Sequence, residues 1–214
     1  MISGAAALAG VIGWPIAHSL SPKLQGFWLK ELGIDGAYVP LAVKPEDFSR
    51  ALLALPALGF KGVNITLPHK ERALALVDKA DRFAKRIGAV NTISIDKRGQ
   101  LVGSNTDAFG FIENLQAGAR KWRPVRPVLV LGAGGAARAV CAGLLQSGVP
   151  EIRLSNRNMA RAEALAEILG VAIRPLPWGE RHVALQDAAL LVNTTSLGMA
   201  GKGVLAVDLS GLLP

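Results

Sequence analysis

An α/β chain built as two consecutive units is predicted, and three observations carry the prediction. Short apolar runs alternate with stretches whose apolar residues recur every three or four positions, the rhythm of strands and helices in turn. Half of the 214 residues are apolar, whereas only 5% are aromatic and 19% charged. That balance suits helices packed on buried parallel strands better than an all-β sandwich. Finally, an apolar run at 128–131 passes into a glycine-rich turn and then into helical sequence.

In the first unit, residues 8–12, 37–43 and 62–66 read as strands, and 23–32, 46–55 and 71–77 as helices. This βαβαβα order predicts a mainly parallel sheet. Residues 90–95 and 100–103 flank the turn Asp96, Lys97, Arg98, Gly99 and read as a hairpin. A helix over 107–119 leads out of this half, and 120–127, with two prolines and no periodicity, reads as a linker. Strands at 128–131, 152–154 and 190–193 then alternate with helices at 134–146 and 160–169. The predicted division is 1–106 and 107–214.

The junction at 128–137 is the most specific local signal. Gly132, Ala133, Gly134, Gly135 and Ala136 form G-x-G-x-x-A with Ala137, preceded by a strand and followed by a helix. The first glycine permits the tight turn, the second lets backbone approach a pyrophosphate, and the final alanine still allows close helix packing. Free N–H groups and the helix dipole favour an anion there. A Rossmann-type dinucleotide unit follows. After the next strand, where an acidic residue would bond an NAD ribose, this chain has Asn156, Arg157 and, one turn on, Arg161. Two guanidinium groups suit a 2′-phosphate, each such bond being worth about 1.5–3 kcal/mol. NADP is therefore the expected cofactor.

A formal charge of +8 raises nucleic acid and anionic membranes as partners. The basic residues are scattered, however, and the densest group, Arg120, Lys121, Arg123 and Arg126, is broken by Trp122 and Pro124. Neither partner is expected, and the excess suits a carboxylate substrate and a phosphate-rich cofactor. The single cysteine, Cys141, reads as a core residue of a reducing compartment. The N-terminal apolar run lacks a basic flank and reads as a first strand, and no apolar run spans a bilayer. A cytoplasmic protein is expected. His18, His69 and His182 show no ligand spacing, so no metal is predicted. No G-x-S-x-G elbow supports a serine hydrolase.

Four polar segments sit at predicted strand ends, where an open α/β sheet presents its binding crevice. They are Ser19-Leu-Ser-Pro22, Asn64-Ile-Thr-Leu-Pro-His-Lys70, Gly88-Ala-Val-Asn-Thr92 and Asn105-Thr-Asp-Ala-Phe-Gly110. With the glycine turn and Asn193-Thr-Thr-Ser-Leu-Gly-Met199, in this order, the chain resembles the shikimate dehydrogenase family over nearly its whole length. The resemblance implies that Ser19 and Ser21 hold the substrate carboxylate, although the same motif also reads as a plain helix N-cap. It implies that Thr66, Asn91 and Asp107 bond ring hydroxyls, and that Thr194, Ser196 and Met199 join the glycine turn, Asn156, Arg157 and Arg161 around the cofactor. Lys70 and Asp107 carry the implied chemistry. An unperturbed lysine amine, near 10.4, is a weak base at neutral pH, so proton shuttling and charge stabilisation both remain open for Lys70.

The activity the resemblance implies is NADP-dependent, reversible reduction of 3-dehydroshikimate to shikimate, with small molecules as ligands and a monomer or homodimer as the assembly. Quinate/shikimate dehydrogenases share most of the motifs. Two departures stand out. Asn158 replaces a threonine common in the family's Asn-Arg-Thr, removing a hydroxyl beside the 2′-phosphate. The family also continues past Asp208-Leu-Ser210 with a strand and a segment that returns to the first domain, whereas this sequence ends at Pro214. The expectation is a fragment or truncated product with an incomplete nucleotide unit, and a non-catalytic NADP- or shikimate-binding module is the competing reading.

Overall fold

The computed structural model describes residues 2–199, 201–210 and 212, so the end of the chain at Pro214 lies outside the described residues. The chain divides into two compact units, Met1–Asn105 and Thr106–Pro214.

In the first unit, β1 (Ala7–Gly13), α1 (Ser21–Glu31) and β2 (Gly36–Ala42) are followed by a short 3₁₀ turn at Pro45–Asp47. Then come α2 (Phe48–Ala54), β3 (Phe60–Ile65), α3 (Lys70–Leu74), β4 (Lys79–Ala80) and α4 (Arg82–Ile87). The hairpin strands β5 (Thr92–Ile95) and β6 (Leu101–Ser104) close the unit. The sheet order is β2-β1-β3-β5-β6-β4. It is mixed: β1 runs parallel to β2 and β3, and β4 to β6, while β5 is antiparallel to both β3 and β6.

The differences from the sequence reading have local causes. The expected helix at 46–55 splits into the Pro45 turn and α2, and the one at 71–77 ends at Leu74. The strand expected from Val90 begins at Thr92, although Asn91 already bonds both neighbours: its N–H donates to the Ser104 carbonyl and its carbonyl accepts from Ile65. At six residues, α4 is too short to show periodicity. Its signal is the cap, Asp81 accepting from the Ala84 N–H at 2.6 Å.

The core of this unit lies on one sheet face, where Ile12, Val63, Ile65 and Ile93 pack with Phe48 and Leu52 of α2. His69 belongs to it, with 1% of its surface exposed. Its ring stacks on Phe48 at 4.2 Å and 4°, and its Nε2 donates to the Val43 carbonyl at 2.8 Å. The residue immediately before Lys70 is thus a structural pin.

In the second unit, α5 (Asp107–Gly118) precedes β7 (Val128–Leu131), α6 (Gly135–Gln146), β8 (Ile152–Asn156) and α7 (Met159–Leu169). β9 (Ile173–Pro177) leads through 3₁₀ turns to β10 (Leu190–Asn193). The sheet is wholly parallel, in the order β10-β7-β8-β9. All four residues of β7 are buried, as a central parallel strand requires. Pro175 and Pro177 disguise β9 in the sequence, and they are tolerated because β9 is an edge strand. Cys141 is buried in α6, and burial pushes its thiol up to about 12.

Burial holds the His69 imidazole below its ordinary value of 6.5, with the Val43 bond opposing and Arg72 reinforcing the shift. An unfolded chain takes up that proton more readily, so this contribution to stability is present above 6.5 and is lost as pH falls through the depressed native value. Urea unfolding midpoints should therefore drop on acidification below 6.5. His69→Phe should flatten that acid limb, and an unchanged limb would remove His69 as its cause.

Candidate functional site

In the first unit the polar segments gather at one end of the sheet because β1 and β3 run side by side and finish together. The chain leaving β3 folds back on β1: the Thr66 N–H donates to the Ile12 carbonyl at 2.9 Å and the Trp14 N–H to the Leu67 carbonyl at 3.0 Å. Gly13 makes this approach possible. A Cβ there would lie 2.5 Å from the Thr66 methyl and 2.9 Å from Ile16. The turn closes when the His69 N–H bonds the Thr66 carbonyl at 3.0 Å. Lys70 then opens α3, half-buried, with its carbonyl accepting from the Val90 N–H at 2.9 Å. One backbone step beyond Val90 lies Asn91, only 8% exposed. The neighbouring Asn105 side chain donates to the Ala89 carbonyl at 3.0 Å and steadies the same segment.

The two serines come to this end from β1. Ser19 and Ser21 are half-buried, and the Ser19 hydroxyl accepts from the Ser21 N–H at 3.3 Å. Leu20 holds the N-cap position without a side-chain hydrogen bond, and Pro22 occupies the first turn, where a missing N–H costs nothing. The motif therefore forms a helix start in the structure, with Ser19 as the residue that supplies the bond.

A run of hydrogen bonds crosses the sheet beside these residues. The Tyr38 hydroxyl on β2 donates to Asn64 Oδ1 at 2.6 Å, and Asn64 Nδ2 donates to Thr92 Oγ1 at 3.1 Å. The Thr92 hydroxyl in turn donates to Asn91 Oδ1 at 2.9 Å. Burial pushes the Tyr38 phenol up to about 12, with the Ser21 side chain opposing the shift, so it keeps its proton at neutral pH. Asn64 and Thr92 lie in the polar segments, but Tyr38 was missed. Its signal was available: it is the sole tyrosine of the sequence, set in an otherwise apolar strand.

The second unit carries the remaining candidates. Asp107 is the first residue of α5, following Thr106 at the N-cap position. Gly132 has φ of 103°, a conformation that favours glycine, and a Cβ there would lie 2.6 Å from Thr194 Oγ1. Thr194 is held in place by its own bond to the Leu131 carbonyl at 2.6 Å. Gly134 takes the N-cap position of α6, and a Cβ at Gly134 would meet open space. Gly135 begins the helix, Ala133 is buried and Ala136 leads to the buried Ala137. The order β9-β8-β7-β10 reverses between β7 and β10, so the Gly132 turn and Thr194 face each other at the switch point. The residues therefore fit a dinucleotide: a turn closed to side chains, with open space over a helix N-terminus.

Beyond β10, Asn193 and Thr195 shape the turn, Thr195 Oγ1 accepting from the Leu197 N–H at 3.1 Å. The Ser196 carbonyl accepts from the Met199 N–H at 3.2 Å. At the end of β8, Asn156 Nδ2 donates to the Asn158 carbonyl at 2.7 Å, and the Asn158 side chain caps α7 by accepting from the Arg161 N–H at 3.3 Å. Asn158 thus does the capping work a threonine would do. Arg157 and Arg161 are both exposed beside this cap. Among the described residues no group of three or more His, Cys, Asp or Glu side chains is placed to hold a metal ion, and no helix is long and apolar enough to cross a membrane.

Comparison with known proteins finds matches to both units. Residues 11–93 match the family model described as shikimate dehydrogenase substrate binding domain, and residues 120–199 that described as shikimate / quinate 5-dehydrogenase. The NADP(+) shikimate dehydrogenase of Rhodospirillum rubrum is 59% identical, the match covering 100% of this chain and 77% of that one. The shikimate 5-dehydrogenase of Thermus thermophilus, solved with NADP(H) and shikimate, is 44% identical with a TM-score of 0.78, over 90% of this chain and 70% of that one. The quinate dehydrogenase of Corynebacterium glutamicum, solved with NAD, has a TM-score of 0.86 at 30% identity, over 97% of this chain and 77% of that one.

Replacing Gly132 by alanine forces a disfavoured φ and a clash with Thr194. Gly132→Ala should weaken NADP binding by tenfold or more, a loss of about 1.4 kcal/mol, while shikimate affinity is kept. Calorimetric titration of both ligands checks this, and equal NADP affinity would remove the turn from the cofactor site.

Proposed function

The chain belongs to the shikimate dehydrogenase family, and from that premise we propose that it catalyses the reversible, NADP-dependent reduction of 3-dehydroshikimate to shikimate in aromatic amino acid biosynthesis. One observation carries the reading: Ser19, Ser21, Thr66, Lys70 and Asn91 are drawn to a single end of the first sheet, in a chain whose second unit holds the glycine turn. The buried Cys141, alone in the sequence, fits a cytoplasmic protein. Its ligands are small molecules, and it works as a monomer or homodimer.

Ser19 and Ser21 bind the ring carboxylate through their hydroxyls. Thr66, Asn91 and Asp107 orient the ring hydroxyls. When bound, NADP supplies the hydride acceptor, or as NADPH the donor. Lys70 Nζ stands at the reacting oxygen, where a proton leaves during alcohol oxidation and returns during ketone reduction, and it moves that proton or holds the developing charge. A group so placed typically contributes about 10²–10⁴ in rate. The cofactor is held by Gly132, Ala133, Gly134, Gly135 and Ala136 at its pyrophosphate, by Asn156, Arg157 and Arg161 at the 2′-phosphate, and by Thr194, Ser196 and Met199 beyond β10.

Following NADPH formation with shikimate and with quinate tests the activity, and absence of turnover despite binding of both ligands would favour a non-catalytic module. Lys70→Ala should lower kcat by about 10²–10⁴ and leave NADP affinity unchanged. An unaltered rate would remove Lys70 from the chemistry. Replacing Arg157 and Arg161 together by alanine should cut the preference for NADP over NAD by tenfold or more, because charge-assisted bonds of about 1.5–3 kcal/mol each are lost. Equal preference before and after would assign the 2′-phosphate to other groups.

A further inference from the structure

The hydrogen bonds through Tyr38, Asn64 and Thr92 have a direction. Each residue donates to the next, from Tyr38 to Asn64 Oδ1, from Asn64 Nδ2 to Thr92 Oγ1, and from Thr92 to Asn91 Oδ1. Asn64 Nδ2 also faces the Asn91 main-chain carbonyl at 3.5 Å, which can only accept, so reversing the amide would set oxygen against oxygen. Thr92 must then spend its proton on Asn91, which fixes Oδ1 of Asn91 as an acceptor and turns Nδ2 the other way. The run thus spans β2, β3 and β5 and ends on Asn91.

We propose that Tyr38 is a positioning residue for the substrate: through Asn64 and Thr92 it holds Asn91 with its amide N–H as the donor offered to a ring hydroxyl. The inference rests on the shikimate dehydrogenase reading, and it deepens that reading by naming what sets the polarity of the ring contact. Tyr38 itself touches no reacting atom. Its loss therefore acts on ground-state and transition-state binding alike, raising KM with little change in kcat.

The test compares wild type with Tyr38→Phe, Thr92→Val and Thr92→Ser, measuring KM and kcat for shikimate at saturating NADP, shikimate Kd by calorimetry and NADP Kd. Tyr38→Phe keeps the ring and its packing while removing the donor. Tyr38→Phe and Thr92→Val should each raise KM and shikimate Kd about five- to tenfold, the range of one lost hydrogen bond, with kcat within about twofold and NADP Kd unchanged. Thr92→Ser should restore both values. The double variant Tyr38→Phe with Thr92→Val should be no worse than the poorer single variant, because both break one run. Wild-type turnover with KM unmoved in Tyr38→Phe, or strictly additive effects, would overturn the relay and leave the enzyme reading standing. Shikimate binding without turnover, weakened as stated in the variants, would overturn the enzyme reading and leave the relay standing. A wild type that neither binds nor turns over shikimate would overturn both.

Discussion

His69 stacks on Phe48 and bonds the Val43 carbonyl, and because it immediately precedes Lys70, this buried contact sets where the lysine leaves the core. The rest of the first unit's chemistry depends on that pin. The turn it belongs to lies against the end of β1, across a Gly13 that has no side chain to interfere. From the other side, the Lys70 carbonyl receives the Val90 N–H and so fixes the approach of Asn91. Three segments distant in sequence are thereby held by backbone bonds and one aromatic stack. Their side chains inherit positions that would be entropically costly to reach from a flexible loop.

The second unit solves a different problem. A parallel sheet offers a binding edge where its strand order reverses, and here that edge falls between β7 and β10. Gly132 keeps the turn close to Thr194, and the open space beside Gly134 leaves the start of α6 accessible. Neither arrangement needs a charged side chain. Backbone N–H groups and the helix dipole there suit an anion, and Arg157 and Arg161 lie exposed beside the start of α7. The overall excess of positive charge follows the same logic, favouring anionic small molecules without a concentrated basic face.

Legibility in the sequence tracked element length and locality. Buried strands such as β7 and helices of three turns such as α5 and α6 show their period plainly and were found within a residue or two. The two-residue β4, the short α4 and the proline-bearing edge strand β9 do not, since pairing or a single cap decides them. The site residues separate in the same way. Motif segments were visible because they are contiguous, whereas the part played by Tyr38 depends on partners 26 residues away. Asn158 shows how a comparison of residue types can miss a structural role: beyond lacking a hydroxyl, it caps α7.

Sequence by itself determined the alternation of strands and helices, the glycine turn, the absence of an acidic residue after β8, and the motif order that marks the family, because each is a property of neighbours along the chain. Only the tertiary structure decided that His69 is core and that one tyrosine is tied through Asn64 and Thr92 to Asn91. Those outcomes depend on strand register, which brings hydrogen-bonding groups together at distances of about 3 Å, and no local pattern encodes register across a sheet.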